Sequence, residues 1–444
     1  MNIYDILRKK RKGQKLNEKE IDFMVKNYYN SNIPDYQMAA FLTSVVINGM
    51  DEEEIFYFTK SIVETGVIMN FDDVDGIKID KHSTGGVGDS VSLIVIPILA
   101  CLGYKVPKLS GRALGHTGGT IDKLESIPNF RTDLQIDLMK EALRRVGAFI
   151  CQPLNLAPAD KKIYALRDVT ANVDSIPLIA SSIMSKKIAS NADVIILDVK
   201  VGNGAFMNDY NEAVELSKTM LNIAKNFNKI ASTIITDMNE PLNTHIGNYL
   251  EVIAAIDFLK GNYSNYPKLK EVCFTVIKAA KYILENIDTI KEKGRIEEIN
   301  LNFSDENIKK IIDSGEALGK FKQIVEFQRG DTSVIDDPYK YFNPSVEYSF
   351  YSKGEGFISF DTYLIGLASG ELGLSRKTLE DKIDNNAGII MYKRAGDYVK
   401  EGEIIMKLFA KDNRSLENSL KILENAISFK KEKFETKAIY SVFI

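Results

Sequence analysis

The sequence predicts a small all-helical domain, a larger α/β domain with a mixed, mainly parallel sheet, and a C-terminal α+β module. Three observations carry this expectation. The first 65 residues show helical spacing with no strand-like alternation; from residue 75, short β-rich runs alternate with amphipathic stretches; after about residue 340, short strands are punctuated by Gly turns.

In the helical part, NEKEIDFMVKNYY places Ile21, Met24, Val25 and Tyr28 on one helical face. PDYQMAAFLTSVVINGM begins with Pro34 near a helix start and ends at Gly49. DEEEIFYFTKSIVETG opens with four acids, which suit the positive end of a helix dipole, and stops at Gly66. The runs GIKID, YKVPKLS, AFICQ, DVIILDV and KIASTIIT then read as strands, interleaved with helical stretches such as LQIDLMKEALRRVG. Between about Ala157 and Ala189 the pattern is helical again, with Ser175 as a cap and Pro177 in the first turn. That segment is expected to leave the sheet and pack on the N-terminal helices. The expected domains are 1–66 with 157–190 (helical), 75–156 with 191–340 (α/β), and 341–444 (terminal module). Gly66 and Gly76 lie in connectors that suit hinges.

At 444 residues, with 45% apolar and 27% charged side chains, the chain can fill two or three compact units. Lys and Arg total 57 against 61 Asp and Glu, and this −4 balance argues against a dedicated nucleic-acid binder. Cys101, Cys151 and Cys273 are scattered among apolar neighbours and read as buried free thiols. The longest apolar stretch, Leu93 to Leu102, is too short to span a bilayer, and the N-terminus lacks a secretion-signal pattern. A cytoplasmic protein is expected.

Two Gly-rich loops carry the chemistry. The first runs from Lys81 through His82, Ser83, Gly85, Gly86 and Gly88 to Ser92 and opens an apolar helix. The second runs from Lys108 through Ser110, Gly111, Gly115, Gly118 and Gly119 to Thr120. Glycines let backbone N–H groups approach an anion, a helix N-terminus adds its positive dipole, and Lys with hydroxyl groups completes an anion cradle. Neither loop fits the Walker or dinucleotide patterns. Two ordinary structural turns would not need Lys81 and Lys108 beside the glycines.

SGRALGHTGGTIDKLE (Ser110 to Glu125) resembles the signature of the thymidine/pyrimidine-nucleoside phosphorylase family almost residue for residue. KHSTGGVGD, YALRDVTANVDSIPLIASSIMSKKIA and DVKVGNGAFM resemble further segments of that family, in the same order. The likeness extends over nearly the whole chain and is nearer the broad pyrimidine-nucleoside group. It implies cleavage of pyrimidine (deoxy)nucleosides by inorganic phosphate, giving free base and pentose 1-phosphate, with no organic cofactor and a homodimeric assembly.

By this resemblance, Lys81, Ser83, Ser92, Lys108, Ser110 and Thr120 bind phosphate. Arg167, Ser182 and Lys186 recognise the base, and Arg167 and Lys186 form the catalytic set with His82. His82 is the general-acid candidate, since an imidazole can protonate a carbonyl oxygen near neutral pH. Ser182 and Lys186 are four apart on one expected helix and so share a face. His116 matches a position near the pentose 5′-hydroxyl, and Leu114, Ile179, Ile183 and Phe206 match an apolar base pocket. Strict thymidine phosphorylases tend to have an apolar residue where Lys108 stands, so Lys108 points to acceptance of both uridine and thymidine.

The family's potassium site maps to Gly88, Ser90, Leu242 and His245, but Ala254 replaces the carboxylate expected there, which should weaken or abolish the site. The GDYVKEGE hairpin resembles carrier domains in outline, without the carrier lysine at its tip. Alternative readings are a strict thymidine phosphorylase, a phosphoribosyltransferase and a non-catalytic nucleoside sensor. The second would need magnesium and an acidic pair near the loops, which the sequence does not show. Intact His82, Arg167 and Lys186 argue against the third.

Overall fold

The structure is a computed structural model that describes residues 1–112, 118–152, 155–375 and 382–444. Helices α1 (Ile3–Arg11), α2 (Glu18–Tyr29), α3 (Asp35–Asn48) and α4 (Glu52–Val63) form the N-terminal bundle. Asn17 and Asp51 each close a capping box with the Glu three residues on, which sets where α2 and α4 begin. The buried ion pair of Lys10 with Glu54 (2.7 Å) ties α1 to α4.

The chain then enters the α/β unit through β1 (Ile79–Ser83), α5 (Val91–Cys101), β2 (Val106–Leu109), α6 (Thr120–Glu125), α7 (Ile136–Arg145) and β3 (Ala148–Cys151). It returns to the bundle for α8 (Pro158–Val169) and α9 (Ile176–Ala189). Ile163 and Leu166 of α8 and Leu178 of α9 share one apolar core with α1–α4, so this excursion completes the helical unit. The α/β unit resumes with β4 (Val194–Val201), α10 (Tyr210–Asn226), β5 (Ile230–Asp237), β6 (His245–Ile246), α11 (Asn248–Asp257) and α12 (Pro267–Glu285). Four short helices follow: α13 (Ile287–Lys293), α14 (Glu306–Asp313), α15 (Glu316–Phe327) and α16 (Ser333–Asp336).

Strands β1, β4 and β5 are parallel, with Ser83 opposite Asp198 and Asp198 opposite Ile234. The parallel pair β2–β3 adjoins β1 through a bridge between Lys78 and Lys105. Helix α5 is apolar all round and almost wholly buried, as expected for a helix inside an α/β core.

The terminal module holds β7 (Val346–Tyr351), β8 (Gly356–Phe360), α17 (Thr362–Ser369), β9 (Gly388–Met391), β10 (Tyr398–Val399), β11 (Ile404–Ala410), α18 (Asn413–Leu423) and β12 (Ile427–Lys430). Its sheets are antiparallel, ordered β10-β8-β12 and β6-β9-β11-β7. The last strand, β13 (Ile439–Phe443), crosses back and pairs antiparallel with β5, which makes the main sheet mixed. Residues 439–443 thus belong to the α/β sheet by pairing, whereas the sequence pattern groups them with the module. Their alternation signals a strand but cannot say which edge accepts it. A buried charge cluster reinforces the junction: Lys268 meets Asp237 and Glu240 (2.5 and 2.9 Å), Thr436 bonds Glu240, and Tyr440 bonds Asp237.

All three cysteines are free; Cys151 and Cys273 are buried, while Cys101 is half-buried at the end of α5. Gly66 sits where the two connectors between the units cross. A Cβ there would lie 2.5 Å from Pro158 Cδ and 2.7 Å from the backbone of Asn155 and Ala157. We therefore expect Gly66→Val to force the connectors apart and lower unfolding stability by about 1–3 kcal/mol, read by urea denaturation; an unchanged midpoint would contradict this packing.

Candidate active site

Alternation along β1 sends Asp80 and His82 to one face of the sheet and Lys81 and Ser83 to the other. On the second face, buried Lys81 lies 3.3 Å from Asp198, which also holds Lys200 at 2.8 Å and accepts a hydrogen bond from Thr236 (2.7 Å). The Ser83 hydroxyl donates to Asp89 (2.7 Å) in the first Gly-rich loop. Burial opposes charge on Asp89, but Lys200, Lys81 and Lys123 hold its carboxyl well below the usual range. Lys108, one strand over, is buried and donates to the Lys81 main-chain carbonyl. Burial and nearby Lys187 pull its ammonium well below the ordinary lysine range, against the opposing pull of Asp80.

On the first face, α9 presents a stripe of Ile179, Ser182, Ile183 and Lys186, with Ile179, Ile183 and Lys186 its half-exposed members. This spacing is one helical face, and Phe206 packs against the same apolar cluster as Ile179 and Ile183. Lys186 bonds Asp160 (2.5 Å) on α8 and Ser182 (3.1 Å). Arg167, two turns beyond Asp160, is only 1% exposed. It donates to the carbonyls of Asn172 (3.0 Å), Leu178 (3.2 Å) and Val173 (2.8 Å). Arg167 therefore fixes the turn into α9 and keeps one N–H on each terminal nitrogen, rather than the whole free fork that the sequence suggests.

His82 joins the two sides. Its partly buried ring lies within electrostatic reach of Lys187, Lys108, Lys186 and Lys81, so strand and helix groups share one site. Burial first, then these four ammonium groups, hold the imidazole well below its ordinary value. The direction of this shift favours the neutral ring, which donates one N–H. Ser92 lies in the first turn of α5, Ser110 directly after β2 and Thr120 at the first position of α6. Leu114 and His116 fall outside the described residues.

The family models match in three pieces. "Glycosyl transferase family, helical bundle domain" covers residues 4–66, "Glycosyl transferase family, a/b domain" covers 75–318, and "Pyrimidine nucleoside phosphorylase C-terminal domain" covers 357–430. A curated pyrimidine-nucleoside phosphorylase from Staphylococcus haemolyticus is 42% identical over 429 residues, 96% of each chain. The chain belongs to the pyrimidine-nucleoside phosphorylase family. Relatives of the same printed name from Geobacillus stearothermophilus and Bacillus subtilis are also 42% identical, again over 96% of both chains. Anthranilate phosphoribosyltransferase from Thermus thermophilus shares the fold, with a TM-score of 0.57 at 16% identity over 73% of this chain and all of that one.

The segments assigned to potassium do come together: the Leu242 N–H donates to Val87 (3.1 Å), and Gly88, at φ +68°, packs on Asn243. The donor set nevertheless does not fit a firmly held cation. Ala254 is buried and brings no side-chain oxygen. Ser90 accepts from Asn243 (3.0 Å) and donates to the Glu251 main-chain carbonyl (3.3 Å). The Glu251 carboxylate is paired with Lys123 (2.7 Å), and that ammonium also donates to the Asp89 carbonyl (2.8 Å). No cluster of three His, Cys, Asp or Glu suited to a metal occurs among the described residues.

The sequence reading missed Asp80, Asp89, Asp160, Lys187, Asp198 and Lys200. One signal was present: VIILDVKV is a buried parallel strand, where two charges are unexpected unless they serve a site. For His82 the geometry yields a direct expectation. Ring NMR of the ligand-free protein, assigned by loss of the signal in His82→Asn, should show no titration between pH 6 and 8; a midpoint near 6.5 would contradict the four-lysine environment.

Proposed function

We propose that this chain catalyses reversible phosphorolysis of pyrimidine (deoxy)nucleosides, accepting both uridine and thymidine. The observation that carries this reading is the meeting of strand and helix groups at β1: Lys108 donates to the Lys81 carbonyl, and Lys187, next to Lys186 on α9, bonds Asp80 two residues before His82. Near-full-length likeness to curated pyrimidine-nucleoside phosphorylases supports it.

In this reading phosphate occupies the cradle of Lys81, Ser83, Ser92, Lys108, Ser110 and Thr120. Among the described residues Lys108 pairs with no carboxylate, so a phosphate dianion supplies charge that the buried lysines lack. A phosphate oxygen attacks the anomeric carbon of the pentose, the bond to the pyrimidine nitrogen breaks, and the bonding pair leaves with the base. The base leaves as its anion and takes up the proton that the new phosphate monoester sheds, so the products are the free base and pentose 1-phosphate. Lys186, Ser182 and the two remaining Arg167 N–H groups meet the base oxygens, where negative charge grows. Ile179, Ile183 and Phe206 flank the ring. His82 steadies the departing base through its N–H, and preorganised donors of this kind each contribute roughly 100- to 1000-fold in rate. Lys108 at the end of β2 is the position we connect with the broad substrate range.

The chemistry proposed here uses no bound potassium ion, in line with Ala254 and the paired state of Glu251. We also propose a homodimer formed through α3, whose outward face carries Tyr36, Ala40, Thr43 and Ile47, with Tyr4 of neighbouring α1 also exposed. A cytoplasmic location accords with three free thiols and with the absence, among the described residues, of a helix long and apolar enough to cross a membrane.

Incubation with uridine or thymidine should release free base only when phosphate is present; no release would overturn the reading. His82→Ala should lower kcat about 100-fold or more while His82→Asn, which keeps an N–H donor, retains a larger share of the rate. Exchanging potassium for N-methylglucamine at constant ionic strength should change the rate less than about twofold, and a tenfold loss would show that a cation is required after all.

A further inference from the structure

Most ion pairs of the site act within one unit: half-exposed Lys186 with Asp160 inside the helical unit, buried Lys81 and Lys200 with Asp198 inside the sheet. Lys187 differs. It leaves α9, crosses to the sheet and donates to Asp80 on β1 (2.8 Å) and to the Leu109 carbonyl at the end of β2 (3.1 Å). Asp80 and Lys187 are both buried, and Ser190 of the helical unit bonds the same Asp80 oxygen (3.2 Å).

The three points tied by this one ammonium are chain neighbours of the groups that handle the two substrates. Lys187 follows Lys186. Asp80 precedes Lys81 and shares a strand face with His82. Leu109 lies between Lys108 and Ser110. A residue on a strand or helix cannot shift without its neighbours, so the bonds to Lys187 set where the base-facing stripe of α9 stands relative to the phosphate-facing tips of β1 and β2. The second Asp80 oxygen accepts no hydrogen bond among the described residues. A buried carboxylate left half-satisfied costs stability, so folding alone would favour a better-satisfied or apolar pair at this position.

We propose that Lys187 and Asp80 are positioning residues for the phosphorylase reaction: their ion pair holds the nucleoside half-site at attack distance from the phosphate half-site. This rests on the phosphorolysis reading above. A pair with this role acts on the approach of the two reactants and not on the grip on either one. Misplacement of reacting groups by about 1 Å can cost about 100-fold in rate.

The test compares wild type, Lys187→Met, Lys187→Arg and Asp80→Asn in steady-state phosphorolysis of uridine, with nucleoside and phosphate varied separately and thermal unfolding followed in parallel. Lys187→Met and Asp80→Asn should lower kcat about 100-fold with both KM values within about threefold of wild type, and Lys187→Arg should recover most of the loss. Unchanged kcat with a lowered unfolding temperature would overturn the proposal and leave the pair a structural one. So would a rise in one KM alone, which marks an ordinary substrate contact. If Lys187→Met does not fold, the near-isosteric Asp80→Asn decides, and insolubility of both counts against any role beyond folding. An inactive wild type in the same assay would instead remove the functional reading, and the pair's role with it.

Discussion

Everything in this site depends on the strict alternation of side chains along four residues of β1. Asp80 and His82 project toward α9, while Lys81 and Ser83 project into a layer of buried lysines and carboxylates on the opposite face. A slip of one residue in the pairing of Ser83 with Asp198 would exchange these faces, placing Lys81 against α9. Strands β4 and β5 are buried along their whole length and leave no room for such a slip, so the core that stabilises the sheet also orders the site.

The second constraint is electrostatic. Lys81, Lys108, Lys187 and Lys200 are all buried around the strand tips, and Asp80, Asp89 and Asp198 offset only part of their charge. Burial first, and then the neighbouring ammonium groups, lower the affinity of Lys108 and His82 for protons. In the proposed reaction, an anion entering between the two Gly-rich loops relieves this deficit, and the same cations face the negative charge of the departing base. Fold and chemistry are linked here, because a site dry enough to strengthen these interactions must be closed by both units.

Much of this was legible in the sequence. Helical spacing at Ile21, Met24, Val25 and Tyr28, the alternating texture after residue 75, and the return to helix near Ala157 all follow from local periodicity. So do the cation-and-hydroxyl pattern of the two Gly-rich loops and the shared face of Ser182 and Lys186. What escaped depends on contacts between distant segments. Nothing local shows that Arg167 turns inward onto the carbonyls of Asn172, Val173 and Leu178, or that Lys187 rather than its neighbour crosses to β1. The return of β13 to β5 is hidden for the same reason, since a short alternating strand does not name its partner. The protonation state of His82 required knowing which four ammonium groups surround it, three of them from other segments.

The most direct test is diffraction from crystals of the protein holding phosphate and uracil together. The account predicts phosphate within hydrogen-bond distance of Lys81 and Ser83, uracil oxygens on Ser182 and Lys186, and His82 between the two ligands. Phosphate bound away from both Gly-rich loops, or uracil bound away from the half-exposed stripe of α9, would contradict it.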